Sequence, residues 1–221
     1  VKAEGERDIF GNMPNLIREA AGEGIVLLKN NNALPYNKDT KISVFGRCQL
    51  DYFYVGYGSG GDVNAPYFVN VIDGIKNAGG KVNEWLLNYY KDFSKNNPAP
   101  HGFWGHWPMS FEEPHLDDET VKRASEESDV ALVVIGRAAG EDRENTLTKG
   151  SYYLTDEERK LLDQVCNNFS NVTVLLDCGN VIDMQWVLDY NDRLRGIIYA
   201  WQGGMESGNA IADVLYGKVN P

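Results

Sequence analysis

Glu141 stands in the run Gly140-Glu141-Asp142-Arg143-Glu144, directly after an apolar stretch at 130–135 and the link Gly136-Arg137-Ala138-Ala139. A carboxylic acid can donate and take protons. Its pKa climbs toward working pH where apolar walls and a second carboxylate surround it, as protonation of a leaving group requires. Glu141 lies nearest the end of the apolar run, between a glycine and an aspartate, and is the first candidate for a general acid/base; Glu144 is the second. The plainer reading of the same run is a solvated loop whose carboxylates pair with Arg137 and Arg143.

Two other segments carry residues suited to holding a ligand. Gly56-Tyr57-Gly58-Ser59-Gly60-Gly61 satisfies GxGxxG, the spacing that brings a backbone close to a dinucleotide pyrophosphate. Its context argues against that use, because the strand before it ends near Phe45 and the helix after it begins near Pro66. The glycines therefore do not join strand to helix. A close-approach loop carrying the Tyr57 ring and the Ser59 hydroxyl is the better reading. The second segment, His101-Gly102-Phe103-Trp104-Gly105-His106-Trp107, places Trp104 and Trp107 in a glycine-broken loop. Aromatic rings there suit stacking against the weakly apolar faces of a sugar, and covering the core is the competing role. Tyr57, Ser59, Trp104, Trp107 and Arg143 are the candidate substrate contacts.

Composition narrows the classes. Asp plus Glu outnumber Lys plus Arg by 32 to 21, for a net charge of -11. Charge-driven attraction to nucleic acid or an anionic membrane is thereby disfavoured. No apolar stretch approaches the roughly 20 residues needed to cross a bilayer, and the first residues contain no apolar secretion core. Cys48, Cys166 and Cys178 are odd in number and widely spaced, which suggests buried free thiols rather than a disulfide framework. These features favour a cytoplasmic setting. With no CxxC and three histidines, the spacing is poor for a metal site, and no metal or cofactor is expected.

The elements that must position these residues alternate. Leu16, Ile17, Ala20, Ala21, Gly24, Leu27 and Leu28 recur at helical spacing after Asn12 and Pro14. Strands are expected at 41–45, from Val82, and at 130–135, 172–176 and 196–200. Helices are expected at 66–78, from Asp117 or Asp118 to about 128, at 183–188, at 206–216, and behind the capping box Thr155-Asp156-Glu157-Glu158. Trp85, Trp186 and Trp201 fall in or beside these elements and read as core. The pattern predicts an α/β fold, a three-layer sandwich with a mainly parallel, doubly wound sheet of about five or six strands flanked by helices. Long connections at 46–65 and 94–116 interrupt the rhythm and hold the candidate ligand residues.

Taken in order, several stretches resemble the α/β sandwich domain of the family 3 glycoside hydrolases, the β-glucosidase-like exo-acting enzymes. They are Glu19-Ala20-Ala21-Gly22-Glu23-Gly24-Ile25-Val26-Leu27-Leu28-Lys29-Asn30 with Leu34-Pro35, the glycines from 56 to 61, Gly140-Glu141-Asp142-Arg143, and the stretch from Gly203-Gly204 through Ala212-Asp213-Val214-Leu215 to Asn220-Pro221. The resemblance spans about 14–221, with 1–13 as an amino-terminal lead. Near its end, Gly203-Gly204-Met205-Glu206 departs from the family's more usual Gln-Glu-Gly-like run.

The resemblance implies a retaining double displacement. An aspartate on a separate barrel domain attacks the sugar, and a glutamate of the sandwich, matched here by Glu141, acts first as acid and then as base. The two carboxyls must come within roughly 5–5.5 Å. An eight-stranded barrel of about 250 residues cannot fit in this chain as well. The implied partners are a β-glucoside or oligosaccharide and the barrel of the same polypeptide. The short lead makes a sandwich-before-barrel order attractive, and the isolated chain is expected to be inactive. The competing class is a non-catalytic sugar- or nucleotide-binding α/β module.

Overall fold

The computed structural model describes residues 11–61, 63–190 and 192–221; most of the amino-terminal lead lies outside them. Six strands form one sheet in the order β1-β6-β5-β4-β2-β3. These are β1 Val26–Asn30, β2 Lys41–Phe45, β3 Lys81–Val82, β4 Val130–Arg137, β5 Val172–Cys178 and β6 Leu194–Tyr199. β1 runs antiparallel to β6, and the other neighbouring pairs are parallel. The helices are α1 Met13–Gly24, α2 Val71–Asn77, α3 Glu84–Asn96, α4 Asp118–Glu126, α5 Asp156–Asn168 and α6 Ser207–Leu215.

β4 and β5 are buried along their whole length, as continuous β-branched runs demand when helices cover both faces. Side chains alternate across the pleat. Leu132 and Val134 enter one core with Ile72, Ile75, Ile211 and Leu215, whereas Ala131, Val133 and Ile135 enter the other with Leu86, Val121, Leu162 and Val165. The result is the expected three-layer α/β sandwich. Side-chain caps start its helices: Asn70, Asn83, Asp117 and Thr155 each accept from a backbone N–H three residues on, and Thr155 with Glu158 completes the capping box.

Three expectations about elements are corrected. Leu27 and Leu28 do not continue the first helix: Ile25 is extended and 26–30 forms β1, because β6 offers a free edge that local spacing cannot reveal. The helix expected from Pro66 starts instead at Val71, where Asn70 supplies the cap. The second long connection begins after Asn96, since α3 extends to that residue.

The sheet order also contains a switch point, the place where open α/β sheets commonly bind their ligands. From β2 the chain moves outward to β3, and from β4 it moves the opposite way to β5. β2 and β4 are neighbours, so the switch point lies between them and the loops leaving their carboxyl ends start side by side. Those loops carry the glycine run and Glu141.

Candidate active site

The two loops meet through a short parallel bridge between Tyr57 and Gly140. The Tyr57 N–H donates to the Ala139 carbonyl at 2.8 Å, and the Glu141 N–H donates to the Tyr57 carbonyl at 3.0 Å. Glycine is required on both sides of this contact. A Cβ on Gly140 would stand 2.4 Å from the Tyr57 carbonyl oxygen, and one on Gly58, whose φ is +114°, would stand 2.5 Å from the Glu141 Cβ. Glu141 is exposed, and the Ser59 N–H and hydroxyl both donate to its Oε2, at 2.9 and 2.5 Å. These Ser59 bonds, the hydroxyl's first and then the amide's, hold the Glu141 carboxyl below its usual range against a smaller opposing effect of desolvation. The expectation that apolar walls and a second carboxylate raise it is therefore not met within this chain.

Aromatic and guanidinium groups brace the bridge. Tyr57 and Trp107 stack with centroids 5.2 Å apart and planes 4° from parallel, while the Arg143 Nε donates to the Trp107 carbonyl at 2.5 Å. Trp107 is only 5% exposed, so it backs Tyr57 instead of offering a face to a sugar. Trp104 packs edge-on against Trp107 and remains 51% exposed, leaving it free to stack on a ligand. Glu144 is exposed and makes no hydrogen bond or ion pair among the described residues. Of the other tryptophans, Trp186 is core, whereas Trp85 and Trp201 are only half-buried.

The solvated-loop reading fails at Arg137. Its side chain turns inward, fully buried, and binds Glu158 through two bonds of 2.6 Å, with further bonds to the carbonyls of Gly136, Ser151 and Tyr153. The dinucleotide reading fails as well. The Ser59 N–H serves Glu141 and the Gly61 N–H serves the Gly58 carbonyl, so these donors are not turned toward a phosphate.

An apolar cavity of about 510 Å³ beside α1, Trp201 and Gln202 has no titratable side chain in its lining and supplies no proton chemistry. Among the described residues no group of three His, Cys, Asp or Glu side chains is placed to hold a metal, and no helix is long and apolar enough to cross a membrane. The cysteines are all free and buried.

Residues 25–221 match the model of the glycosyl hydrolase family 3 C-terminal domain. The chain belongs to glycosyl hydrolase family 3. A β-glucosidase of Ruminococcus albus is 46% identical over 204 residues, covering 92% of this chain and 21% of its own length. β-Glucosidase A of Butyrivibrio fibrisolvens is 34% identical, with 92% of this chain and 27% of that protein covered. The structure of a β-glucosidase from Paenibacillus barengoltzii superposes with a TM-score of 0.91 at 44% identity, covering 99% of this chain and 23% of that one. For β-glucosidase 3B from Thermotoga neapolitana in complex with glucose the TM-score is 0.87 at 32% identity, with 97% and 30% covered. The family 3 chain described here thus spans less than a third of the length of these relatives.

Reasoning from sequence missed the buried polar groups that hold the two long loops of this family 3 domain. Glu113 is buried and accepts the Arg47 N–H on both carboxylate oxygens. The Arg47 guanidinium binds Asp51 in the first loop and the carbonyls of Asn97 and Glu112 in the second. Asp177, at the end of β5, accepts the Phe53 N–H at 2.7 Å. Asp177 at the end of β5 and Arg47 two residues past the end of β2 were the available signals. Apart from Asp51, four residues from Arg47, their partners lie 50 to 124 residues away.

Glu113 makes the stability of the domain pH-dependent. Burial, helped by the negative charge of Glu158, pushes its carboxyl up from 4.5 to about 8, against the Arg47 N–H and the charges of Arg47 and Arg137. Between these values the unfolded chain gives up a proton that the folded chain keeps, so this contribution to stability falls as pH rises toward 8. Glu113→Gln retains an acceptor for Arg47 and removes the titration. Its unfolding midpoint should vary less with pH than the parent's from about 5 to 8; equal slopes would remove Glu113 as the cause.

Proposed function

We propose that this domain provides the general acid/base and part of the substrate cover of a retaining exo-β-glycosidase, a β-glucosidase that removes terminal β-linked glucose from oligosaccharides or glucosides. The observation that carries the reading is the placement of Glu141: an exposed carboxylate on a braced loop at the sheet's switch point, held by one oxygen, with the other accepting no hydrogen bond among the described residues. Glu144 is the reserve choice. Trp104 is the stacking surface, and Tyr57, Trp107 and Arg143 keep the bridge in place. The site is split, and its second carboxylate belongs to a barrel domain of the same polypeptide.

The chemistry then runs in two displacements. The barrel's aspartate attacks the anomeric carbon as Glu141 gives its proton to the departing oxygen, forming a glycosyl-enzyme and a free alcohol. Water next attacks the same carbon while Glu141 takes its proton, releasing glucose with the original anomeric configuration and freeing the aspartate. The Ser59 bonds favour the ionised carboxyl, so the rise in pKa that acid catalysis needs comes from the barrel, through burial of the site and the aspartate's charge. Once the aspartate is glycosylated its charge is gone, and the same bonds suit Glu141 to act as base.

Chemical rescue tests the assignment. In the full-length polypeptide, Glu141→Ala should turn over a dinitrophenyl β-glucoside slowly, because water attack has lost its base. Azide needs no base, so it should speed the reaction and yield β-glucosyl azide. Parental turnover that is indifferent to azide would refute the role.

A further inference from the structure

We infer that Ser59 is the positioning residue of the acid/base, holding Glu141 by Oε2 so that the proton is exchanged at Oε1. The inference rests on the assignment of Glu141 as acid/base. Both Ser59 donors converge on Oε2, while Oε1 accepts no hydrogen bond among the described residues. A hydroxyl and an amide on one oxygen fix the torsion of a side chain that is otherwise exposed, and a rotating acid presents its proton to the leaving oxygen for less of the time.

The backbone is built for this contact. Gly58, in its left-handed conformation, lets the chain run against the Glu141 Cβ; the Tyr57–Gly140 bridge sets the register of the two loops; and Ser59 is the next residue along. A serine that only touched sugar would not need its amide aimed at the same carboxylate oxygen.

The other ionisable groups at this point do not compete. Arg143 is turned to the Trp107 carbonyl, Tyr57 lies stacked on the Trp107 ring, and Asp142 and Glu144 are exposed. Among the described residues the Glu141 carboxylate takes its hydrogen bonds from Ser59, and neither Asp142, Arg143 nor Glu144 pairs with it. Removing the Ser59 hydroxyl removes a donor that favours the ionised carboxylate, so the carboxyl titrates at higher pH and the alkaline limb of kcat/KM moves upward.

The experiment compares Ser59→Ala, Ser59→Thr and Glu141→Gln in the full-length polypeptide on a disaccharide. Ser59→Ala should lower kcat about 10-fold with little change in KM and shift the alkaline limb to higher pH. Ser59→Thr, which keeps the hydroxyl, should restore both. A Ser59→Ala enzyme with raised KM but unchanged kcat and pH profile would make Ser59 a sugar contact and overturn the inference, as would one with no change at all. A large loss in Glu141→Gln beside a silent Ser59→Ala overturns only the positioning role. Parental activity in Glu141→Gln overturns the acid/base assignment and this inference with it.

Discussion

Glu141→Gln in the full-length polypeptide is expected to lower kcat/KM for disaccharides and alkyl β-glucosides by about 10²–10⁴-fold, the usual contribution of a positioned general acid. Glucosides of acidic phenols should lose far less in kcat/KM, because such a leaving group departs as an anion without a proton. The amide retains an acceptor for Ser59, so the loop geometry at the bridge is preserved and the comparison isolates the proton. Deglycosylation lacks its base with either class of substrate. For activated glucosides kcat and KM should therefore fall together as the glycosyl-enzyme accumulates. Steady-state kinetics across leaving groups of graded acidity reads all three effects. An equal loss for good and poor leaving groups would move the role to Glu144 or out of this loop.

Glu158→Gln should cost about 3–5 kcal/mol of folding stability, since breaking one side of a buried ion pair strands the other charge in the core. The stranded group is Arg137, fully buried at the end of β4 and four residues before Glu141. For a domain of this size that loss corresponds to a fall in Tm on the order of 10 °C. Glu158 also accepts the Thr155 N–H in the capping box, so its loss mixes two effects. Thr155→Ala separates them: removing the cap alone should cost about 1 kcal/mol. If thermal unfolding places Glu158→Gln no lower than Thr155→Ala, the ion pair is not what secures the end of β4. Arg137 additionally ties down the carbonyls of Ser151 and Tyr153, so loosening it should disturb the loop that leads from Glu141 to α5.

The α/β alternation is legible in the amino-acid order, because continuous apolar strands and amphipathic, capped helices are local patterns. Thr155 and Glu158 announce α5 within four residues, and the run at 130–135 is legible as a buried strand without knowledge of its neighbours. Order along the chain also placed Glu141 just beyond a strand, beside glycines that a tight loop requires. Pairing over distance is settled by the folded chain alone. Leu27 and Leu28 read as part of a helix until β6 supplies an antiparallel edge some 170 positions away. Arg137 reads as one more surface charge until Glu158 and three carbonyls meet it in the core. Trp107 resembles Trp104 in its loop, and its stacking on Tyr57 is what buries it. Ser59 lies 82 residues from Glu141, and no periodicity in either segment records that they touch. Helix caps and strand burial are short-range and written in neighbouring residues; the environment of the glutamate is set by where the sheet's switch point brings two loops together.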